Sequence, residues 1–181
     1  IIINYHQTKN VDKLVRACQK FKVKALSLKA DVSSETDCRR MVEFAIKNFG
    51  KIDILVNNAG IATYAAIDKM SNKILNETLD INLRGIFYLT REVVPYMKKQ
   101  KSGNIINISS TAGQRGEAYH SHYAATKGAI ISLTKSLATE LAPWNIRVNC
   151  IAPGWVYTDM SKEALESKER KQILSSIPME R

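Results

Sequence analysis

Apolar residues along the chain occur in short uninterrupted runs that alternate with longer periodic stretches. The short runs predict five strands, at 1–5, 23–28, 52–56, 104–108 and 146–152. These runs do not alternate with polar residues, which is typical of strands that are covered on both faces of a sheet. The periodic stretches predict helices, at 10–21, between Ser34 and Gly50, at 72–99 and at 118–142, with a polar helical tail from Thr158 onward.

Two of the helical stretches carry signals about where a helix begins, ends or breaks. Ser34 precedes Asp37 by three residues, as at the start of a capping box. Gly50 follows the last apolar position of the same stretch, where a helix C-terminus favours glycine. In the long stretch 72–99 we expect an interruption near Asp80–Gly85.

Strands that alternate with helices of this length predict an α/β fold, with a parallel sheet and helices on both faces. The chain has no internal repeat, linker or low-complexity segment, so we expect residues 1–181 to form a single domain. A dinucleotide-binding sheet usually begins with a strand, a glycine-rich turn and a helix. Ile1 already begins what reads as the second strand, so we expect a fragment of a longer protein with two exposed strand edges.

Composition and charge narrow the function classes only slightly. The 45% hydrophobic and 24% charged content is ordinary for a globular protein, and no apolar run is long enough to cross a bilayer. The three scattered cysteines suit reduced thiols, and we expect a cytoplasmic protein. The formal charge of +10 could attract a phosphorylated cofactor, an acidic carrier protein or nucleic acid. For most of the lysines we favour an ordinary solvated basic face without a specific partner, since the sequence has no arginine-rich arm and no basic stretch interleaved with aromatic residues.

Tyr123 and Lys127 are the strongest chemical signal in the chain. They lie four residues apart in a predicted helix and therefore on one face. An ammonium beside a phenol favours the phenolate, so we expect Lys127 to lower the pKa of Tyr123 and to prepare it for proton exchange with a substrate oxygen. Ser110 follows a strand, at the edge where open α/β sheets bind ligands. The alternative is an exposed stacked pair of the kind that many helices contain by chance.

Five motifs in order and spacing give the chain a resemblance to the short-chain dehydrogenase/reductases, of the 3-oxoacyl-acyl-carrier-protein reductase type. The motifs are Asp31-Val32, Asn57-Asn58-Ala59-Gly60, Asn82 within DINLRG, Ser110 with Tyr123 and Lys127, and Pro153-Gly154 with Thr158. The resemblance covers essentially every residue present. It implies a Rossmann-like doubly wound parallel sheet, here incomplete at both ends, without the first strand-turn-helix and the last helix-strand.

The resemblance also implies hydride transfer between a nicotinamide and a carbonyl or alcohol carbon. Tyr123 would donate a proton to the forming alkoxide, Lys127 would bind the nicotinamide ribose, and Ser110 would hold the substrate oxygen. Asn82 would anchor a water that relays protons to Lys127, although an amide there can also satisfy backbone groups at a helix break.

Cofactor binding is expected, by the same resemblance, along the loops that follow the strands. The residues implied are Asp31, Val32, Asn58, Ala59, Gly60, Tyr123, Lys127, Pro153, Gly154, Val156 and Thr158, and no metal ligands are expected. NAD-preferring members place an acid at the end of the second strand. This chain has Tyr5 there, followed by His6 and Lys9, so we expect NADP to be preferred, with NAD possible.

A carrier-protein-bound acyl group is the substrate that the resemblance favours. Lys98, Lys99 and Lys101 precede the strand that leads to Ser110, and we expect them to flank the entrance of the site, unless they only complement a helix C-terminus. Trp144 stands where such reductases can carry a basic residue, and would cover an apolar substrate or an oligomer contact. Relatives with the same catalytic set act on sugars, polyols or steroids. A homotetramer is expected by analogy, and a non-catalytic cofactor-binding or scaffolding role is the alternative from another class.

Overall fold

The structure, a computed structural model, describes residues 1–7, 10–168, 170–175, 177 and 179. Its strands are β1 Ile2–Tyr5, β2 Leu26–Lys29, β3 Ile54–Asn57, β4 Gly103–Ile108 and β5 Ile146–Ile151. Its helices are α1 Val11–Gln19, α2 Glu35–Phe49, α3 Asn72–Leu79, α4 Gly85–Gln100, α5 Ala112–Arg115, α6 Ser121–Leu141, α7 Lys162–Glu166 and α8 Arg170–Ser175. All five predicted strands and all four predicted helical stretches are present.

Some boundaries differ from the prediction because of local backbone geometry. β2 begins at Leu26 rather than Val23, after Lys22 adopts a left-handed φ of 59°. α6 begins at Ser121 rather than Ala118, because Tyr119 has a φ of 61°, which a right-handed helix excludes. The predicted helical tail contains α7 and α8 rather than one helix, and residues 169, 176, 178, 180 and 181 of that tail lie outside the described part.

Helix α2 is capped at both ends as its sequence predicts. The Ser34 hydroxyl accepts a hydrogen bond from the Asp37 amide at 3.3 Å. Gly50 has a left-handed φ of 73°, and its amide donates to the Ile46 carbonyl at 2.8 Å. Serine and glycine therefore satisfy backbone groups that a helix leaves without intrahelical partners.

The predicted interruption of stretch 72–99 is a π-helical turn, Asp80–Arg84, between α3 and α4. This turn contains Asn82, whose side chain is fully buried. π-helical turns inside α-helices are often found at functional sites because the wider turn redirects a side chain. Here the turn sends Asn82 towards the loop that follows β3, as its hydrogen bonds below show.

The strands form two parallel sheets, with orders β1-β2 and β3-β4-β5. Within the described ranges, β1 and β3 therefore each have a neighbouring strand on one side only. The other edge of each strand is unpaired, as predicted from the sequence. A groove of about 710 Å³ lies between them, and its lining includes Ile1, Ile2, Ile54 and Val56. Ile54 and Val56 are more than half exposed there.

The main hydrophobic core lies on one face of the three-stranded sheet. Leu55, Ile105 and Val148 stand opposite one another in register. They pack with apolar side chains of three helices, namely Val42 of α2, Val93 and Met97 of α4, and Leu141 of α6. Because side chains alternate along a strand, Ile54, Val56 and Ile151 point to the opposite face, where each is more than half exposed. Helices therefore cover one face of this sheet, and the covering of both faces that its apolar runs predicted is not present among the described residues.

A second cluster connects the β1-β2 sheet to the rest of the fold. Val32, which follows β2, packs with Cys38 and Met41 of α2 and with Tyr88 of α4. Gly85 allows this contact, because a Cβ at that position would lie 2.7 Å from the Val32 carbonyl oxygen. The cluster fixes the end of β2 next to the helix that begins after Asn82.

No helix in the described part of the chain is long and apolar enough to cross a membrane.

Candidate active site

The candidate site is built where the parallel strands end. Because all strand pairs are parallel, their carboxyl ends lie on one edge of each sheet, where open α/β sheets bind ligands. The residues that follow these ends are Asp31 and Val32 after β2, Asn58, Ala59 and Gly60 after β3, Ser110 after β4, and Pro153 and Gly154 after β5.

Tyr123, Ser110 and Lys127 come together between β4 and the first turns of α6. The Ser110 hydroxyl lies close enough to the phenol of Tyr123 to influence its pKa, and it accepts the Ala112 amide at 3.1 Å. Lys127 is 4% exposed, and its Nζ lies 5.6 Å from the centroid of the Tyr123 ring. The same Nζ donates to the Ile108 carbonyl at 2.9 Å. The structure therefore gathers a phenol, a hydroxyl and an ammonium, as predicted.

The pKa of Tyr123 is raised above its ordinary value rather than lowered. Burial is the main cause, the neighbouring Ser110 hydroxyl acts in the opposite direction, and the charge of Glu117 adds to the rise. The expectation that Lys127 lowers the pKa of Tyr123 is therefore wrong for this geometry. The ammonium lies over the face of the ring and is bound to a backbone carbonyl, so it does not solvate the phenol oxygen.

Burial also lowers the pKa of Lys127, because a buried ammonium loses its hydration. The nearby Cys150 opposes this shift. Each member of the pair therefore tends towards its neutral form in this structure. A neutral phenol is the form that can give up a proton to an oxygen that becomes an alkoxide.

Asn82 connects the loop after β3 to α6. Its Oδ1 accepts the Ile61 amide and its Nδ2 donates to the Ile61 carbonyl, both at 2.8 Å, and Nδ2 also lies 3.3 Å from the Thr126 hydroxyl. A Cβ on Gly60 would lie 3.3 Å from Asn82 Oδ1 and 3.4 Å from Lys127 Nζ. The amide thus satisfies backbone groups of a loop and holds Gly60 beside Lys127.

Replacing Asn82 with alanine should destabilise the fold by about 2 kcal/mol, since the amide and carbonyl of Ile61 lose their partner. It should also lower activity, because Gly60 would no longer be held beside Lys127. Thermal unfolding and steady-state kinetics measure the two effects. The exposed Asn76, on α3, gives a matched control as Asn76→Ala. Equal stability of the two variants would contradict the role assigned to Asn82.

The side chains of Asp31 and Val32 differ in how accessible they are to a ligand. Asp31 Oδ1 accepts the amide and hydroxyl of Ser33 at 2.8 and 2.7 Å, while Oδ2 lies 4.0 Å from His6 Nε2. Val32 is buried in the second cluster, and its carbonyl accepts the Cys38 thiol at 3.2 Å. The structure therefore places the Asp31 carboxylate at the surface of this edge, and the Val32 side chain in the core.

The loop after β5 is attached to the site near Ser110. The Pro153 carbonyl accepts the amide of Thr111 at 3.0 Å, and Gly154 follows next to the Thr111 side chain. Further along, the Thr158 carbonyl accepts the amide of Lys162, the first residue of α7, at 2.9 Å. Val156 and Thr158 are exposed, so the predicted contacts of both with a cofactor stay predictions.

Two residues important to the site were missed by the sequence analysis. Ser109 is buried, and its hydroxyl donates to the Lys127 carbonyl at 2.7 Å. Gly113 of α5 lies against α6, where a Cβ would be 2.5 Å from the Lys127 carbonyl carbon. The position of Ser109 next to Ser110 was a sequence signal that could have predicted its contact with Lys127. The contact of Gly113 depends on how α5 packs on α6, for which the sequence offers no spacing rule.

Lys98, Lys99 and Lys101 lie at the opposite end of β4 from Ser110. The strand of six residues between them is about 20 Å long at 3.3 Å per residue. Lys98 Nζ lies 5.2 Å from the centroid of the Trp144 ring, and Asn145 Nδ2 donates to the Lys101 carbonyl at 3.2 Å. The prediction that these lysines flank the entrance of the site formed by their own chain is therefore wrong, and Trp144 is equally distant from it.

Within the part of the chain that the structure describes, no group of three or more His, Cys, Asp or Glu side chains could hold a metal ion. The polar groups that do converge are those of Ser110, Tyr123, Lys127 and Asn82. They combine a phenol, a hydroxyl beside it and an amide that fixes the neighbouring loop, an arrangement that suits proton transfer to or from a substrate oxygen.

Comparisons with known proteins show the family to which the chain belongs. Residues 1–169 match the short chain dehydrogenase family. The chain is 40% identical over 172 residues to the 3-oxoacyl-acyl-carrier-protein reductase FabG of Thermotoga maritima, a match that covers 95% of this chain and 70% of that protein. It is 35% identical over 182 residues to the protein of the same name from Staphylococcus aureus, covering 100% and 74% of the two chains.

Two solved structures are similar over almost the whole chain. An NAD+-bound xylitol dehydrogenase has a TM-score of 0.91 and 31% identity, covering 100% of this chain and 76% of that one. A gluconate 5-dehydrogenase from Burkholderia cenocepacia, in complex with NADP and tartrate, has a TM-score of 0.89 and 30% identity, covering 97% and 69%. The chain therefore belongs to the short-chain dehydrogenase family and has its Rossmann-type α/β fold.

Proposed function

We propose that the protein reduces the 3-keto group of an acyl thioester, with NADPH as the reductant. The observation that carries this proposal is the convergence of the Ser110 hydroxyl and the partly buried phenol of Tyr123 beside Lys127. The names of the relatives from Thermotoga and Staphylococcus support the substrate class. A spectrophotometric assay of NADPH oxidation with an acetoacetyl thioester tests it, and no turnover there would contradict the substrate class.

The residues at the strand ends fit a dinucleotide. Asn58 and Ala59 are exposed, and Gly60 presents backbone without a side chain next to Lys127, so a ligand can approach this loop closely. Lys127 would bind the ribose next to the nicotinamide, and Asp31 would lie at the adenine end. A bound nicotinamide supplies the hydride, while the protein orients the substrate and handles the proton.

Proton handling falls to Tyr123 in this proposal. Ser110 and Tyr123 hold the substrate oxygen, and Tyr123 gives its proton to that oxygen as it gains charge. Because burial raises the pKa of Tyr123, the phenol is protonated at neutral pH and ready to act as the acid. Asn82 keeps Gly60 beside Lys127, and it would anchor the water through which Lys127 restores the proton.

The preference for NADPH over NADH is part of the proposal. Tyr5 ends β1 where a carboxylate would favour NADH, and His6 stands next to it, facing Asp31. Lys9, which also motivated this preference, lies outside the described residues. The similar solved structures contain NAD+ in one case and NADP in the other, so they support either cofactor.

Replacing Tyr5 with aspartate should lower kcat/KM for NADPH by about tenfold, because a carboxylate repels the 2′-phosphate. The value for NADH should stay constant or rise. Steady-state kinetics with both cofactors measure the change, and Tyr5→Phe serves as the control without new charge. A wild-type preference for NADH, or an equal loss in both variants, would contradict the assignment of this position.

Oxidation of a sugar or polyol is the second candidate function. Its support is the similarity to the xylitol and gluconate dehydrogenase structures, at 31% and 30% identity. A panel with an acetoacetyl thioester, a ketose and a small ketone separates the candidates by their kcat/KM values. Turnover of the ketose alone would favour this second function.

A homotetramer is proposed as the assembly. Its support is the analogy with the family together with Phe87 of α4, an apolar side chain that is half exposed. Size-exclusion chromatography with light scattering gives the mass in solution. A monomeric mass at micromolar concentration would contradict the proposal.

A further inference from the structure

His122 is a buried titratable residue that the reaction above does not use. It immediately precedes Tyr123 on α6, and its side chain is 4% exposed. Within the described part of the chain, neither ring nitrogen has a hydrogen-bond partner of good geometry. Buried polar groups in proteins nearly always have such a partner, so an unpaired imidazole next to a catalytic group requires an explanation.

The His122 ring lies between α6 and the β3 loop, which we define as residues 58–66. The Thr63 backbone is close enough to the ring to influence its pKa. Thr126, one turn further along the same face of α6, lies 3.3 Å from the Asn82 amide that holds Ile61. His122 therefore packs beneath the middle of the β3 loop, one helical turn from the contact that fixes its beginning.

The far end of the β3 loop is attached to the residues just before α6. The Ala65 amide donates to the Tyr119 carbonyl at 2.8 Å, and the rings of Tyr64 and Tyr119 stack with centroids 5.0 Å apart. Tyr119 has the left-handed φ of 61°, which is rare for a bulky residue and persists only where surrounding contacts impose it. The loop is thus fastened at both ends, with His122 under its centre.

We propose that His122 is a positioning residue for the reaction, which in its neutral form holds the β3 loop against α6 and keeps Gly60 beside Asn82 and Lys127. The imidazole acts by filling the space beneath the loop and touches neither substrate nor cofactor. A proton on the ring would place a charge in a buried position where neither ring nitrogen has an acceptor of good geometry, so the loop would detach. This inference rests on the proposed reductase function, since its kinetic effect is measured through that reaction.

The electrostatic surroundings agree with a neutral ring. Burial lowers the pKa of His122 below its ordinary value of 6.5, the charge of His120 adds to this, and the Thr63 backbone opposes it. The titratable groups on the elements around it are Tyr64, Lys73, Glu77, Asp80, Arg84, Glu117, His120, Tyr123 and Lys127. The unfolded chain binds a proton at higher pH than the folded one, so stability is lost as the pH falls below 6.5.

Two variants test the positioning role. His122→Leu keeps most of the volume and removes the titration, so kcat near pH 8 should stay within about threefold of wild type. Wild type should lose activity towards about pH 5, and this loss should be absent from His122→Leu. His122→Ala leaves a cavity under the loop and should lower kcat by about tenfold, because the loop is no longer held in place. His120→Leu, at the neighbouring partly exposed histidine, should keep the acid loss.

A measurement without substrate separates this inference from the proposed function. NMR titration of the folded protein should show His122 neutral well below pH 6.5, and unfolding temperatures should fall on the acid side more in wild type than in His122→Leu. Titration of His122 near 6.5, or an unchanged acid loss in the leucine variant, would overturn the inference. If wild type turns over none of the substrates, the proposed function fails, while titration and unfolding still decide the role of His122.

Discussion

Replacing Tyr123 with phenylalanine is expected to lower kcat for ketone reduction by about 10²- to 10⁴-fold, the range that a general acid contributes. The substitution removes the phenolic oxygen that contacts Ser110 and leaves the ring beside Lys127 in place. The binding of NADPH should therefore change little. Steady-state kinetics measure kcat, and fluorescence titration of the cofactor measures binding.

The pH dependence of kcat in wild type and in Tyr123→Phe is a second test of the role of Tyr123. Burial raises the pKa of Tyr123 above its ordinary value of 10.0. In wild type, reduction should persist into alkaline solution and decline only as the pH rises through this raised pKa, whereas the reverse oxidation should increase there. The phenylalanine variant should lose both trends. Tyr96→Phe, at a tyrosine on α4, is the matched control, and a comparable loss of kcat in it would contradict the role of Tyr123.

Replacing Gly113 with alanine is expected to destabilise the protein by about 3 kcal/mol, near the upper end for overpacking in a well-packed contact. A Cβ at this position would lie 2.5 Å from the Lys127 carbonyl carbon and 2.7 Å from the Gly128 amide nitrogen. These are backbone atoms, so relief requires α5 to move away from α6. Activity should fall as well, because α5 begins directly after Ser110 and Thr111. Chemical denaturation measures the free energy of unfolding.

Gly128 lies on the other side of the same contact and provides the control. A Cβ there would be 3.2 Å from the Gly113 carbonyl oxygen, a tight distance that a small shift can relieve. Gly128→Ala should therefore lose clearly less stability than Gly113→Ala, although both add one methyl group to one interface. If the two variants are equally stable, close packing of α5 on α6 does not limit the fold.

The sequence predicted the parts of the fold that depend on local patterns. Apolar runs located all five strands, and the capping residues Ser34 and Gly50 fixed both ends of α2. The break at Asp80–Arg84 was also predicted. The convergence of Ser110, Tyr123 and Lys127 followed from a helical spacing of four together with the rule that strand ends bind ligands. Local geometry carries this information, so a single sequence was enough.

Other features depend on contacts between distant residues and could not be predicted. The pKa of Tyr123 moves upward because of its burial, and burial is a property of the packed fold. Lys101 is near Ser110 along the chain, but a full strand separates them in space. The burial of His122 is likewise a property of the packed fold, in which α6 begins only after Tyr119 adopts a left-handed conformation.

Lys127 is held to β4 from both of its ends. Its ammonium binds the Ile108 carbonyl, and its own carbonyl accepts the hydroxyl of Ser109. Lys127 alone thus fixes the position of α6 against β4, the central strand of the three-stranded sheet. This attachment does not depend on the segment after β5. That segment carries the exposed side chains Val156, Tyr157 and Met160. We therefore expect substitutions in that segment to leave the alignment of Tyr123 and Lys127 unchanged.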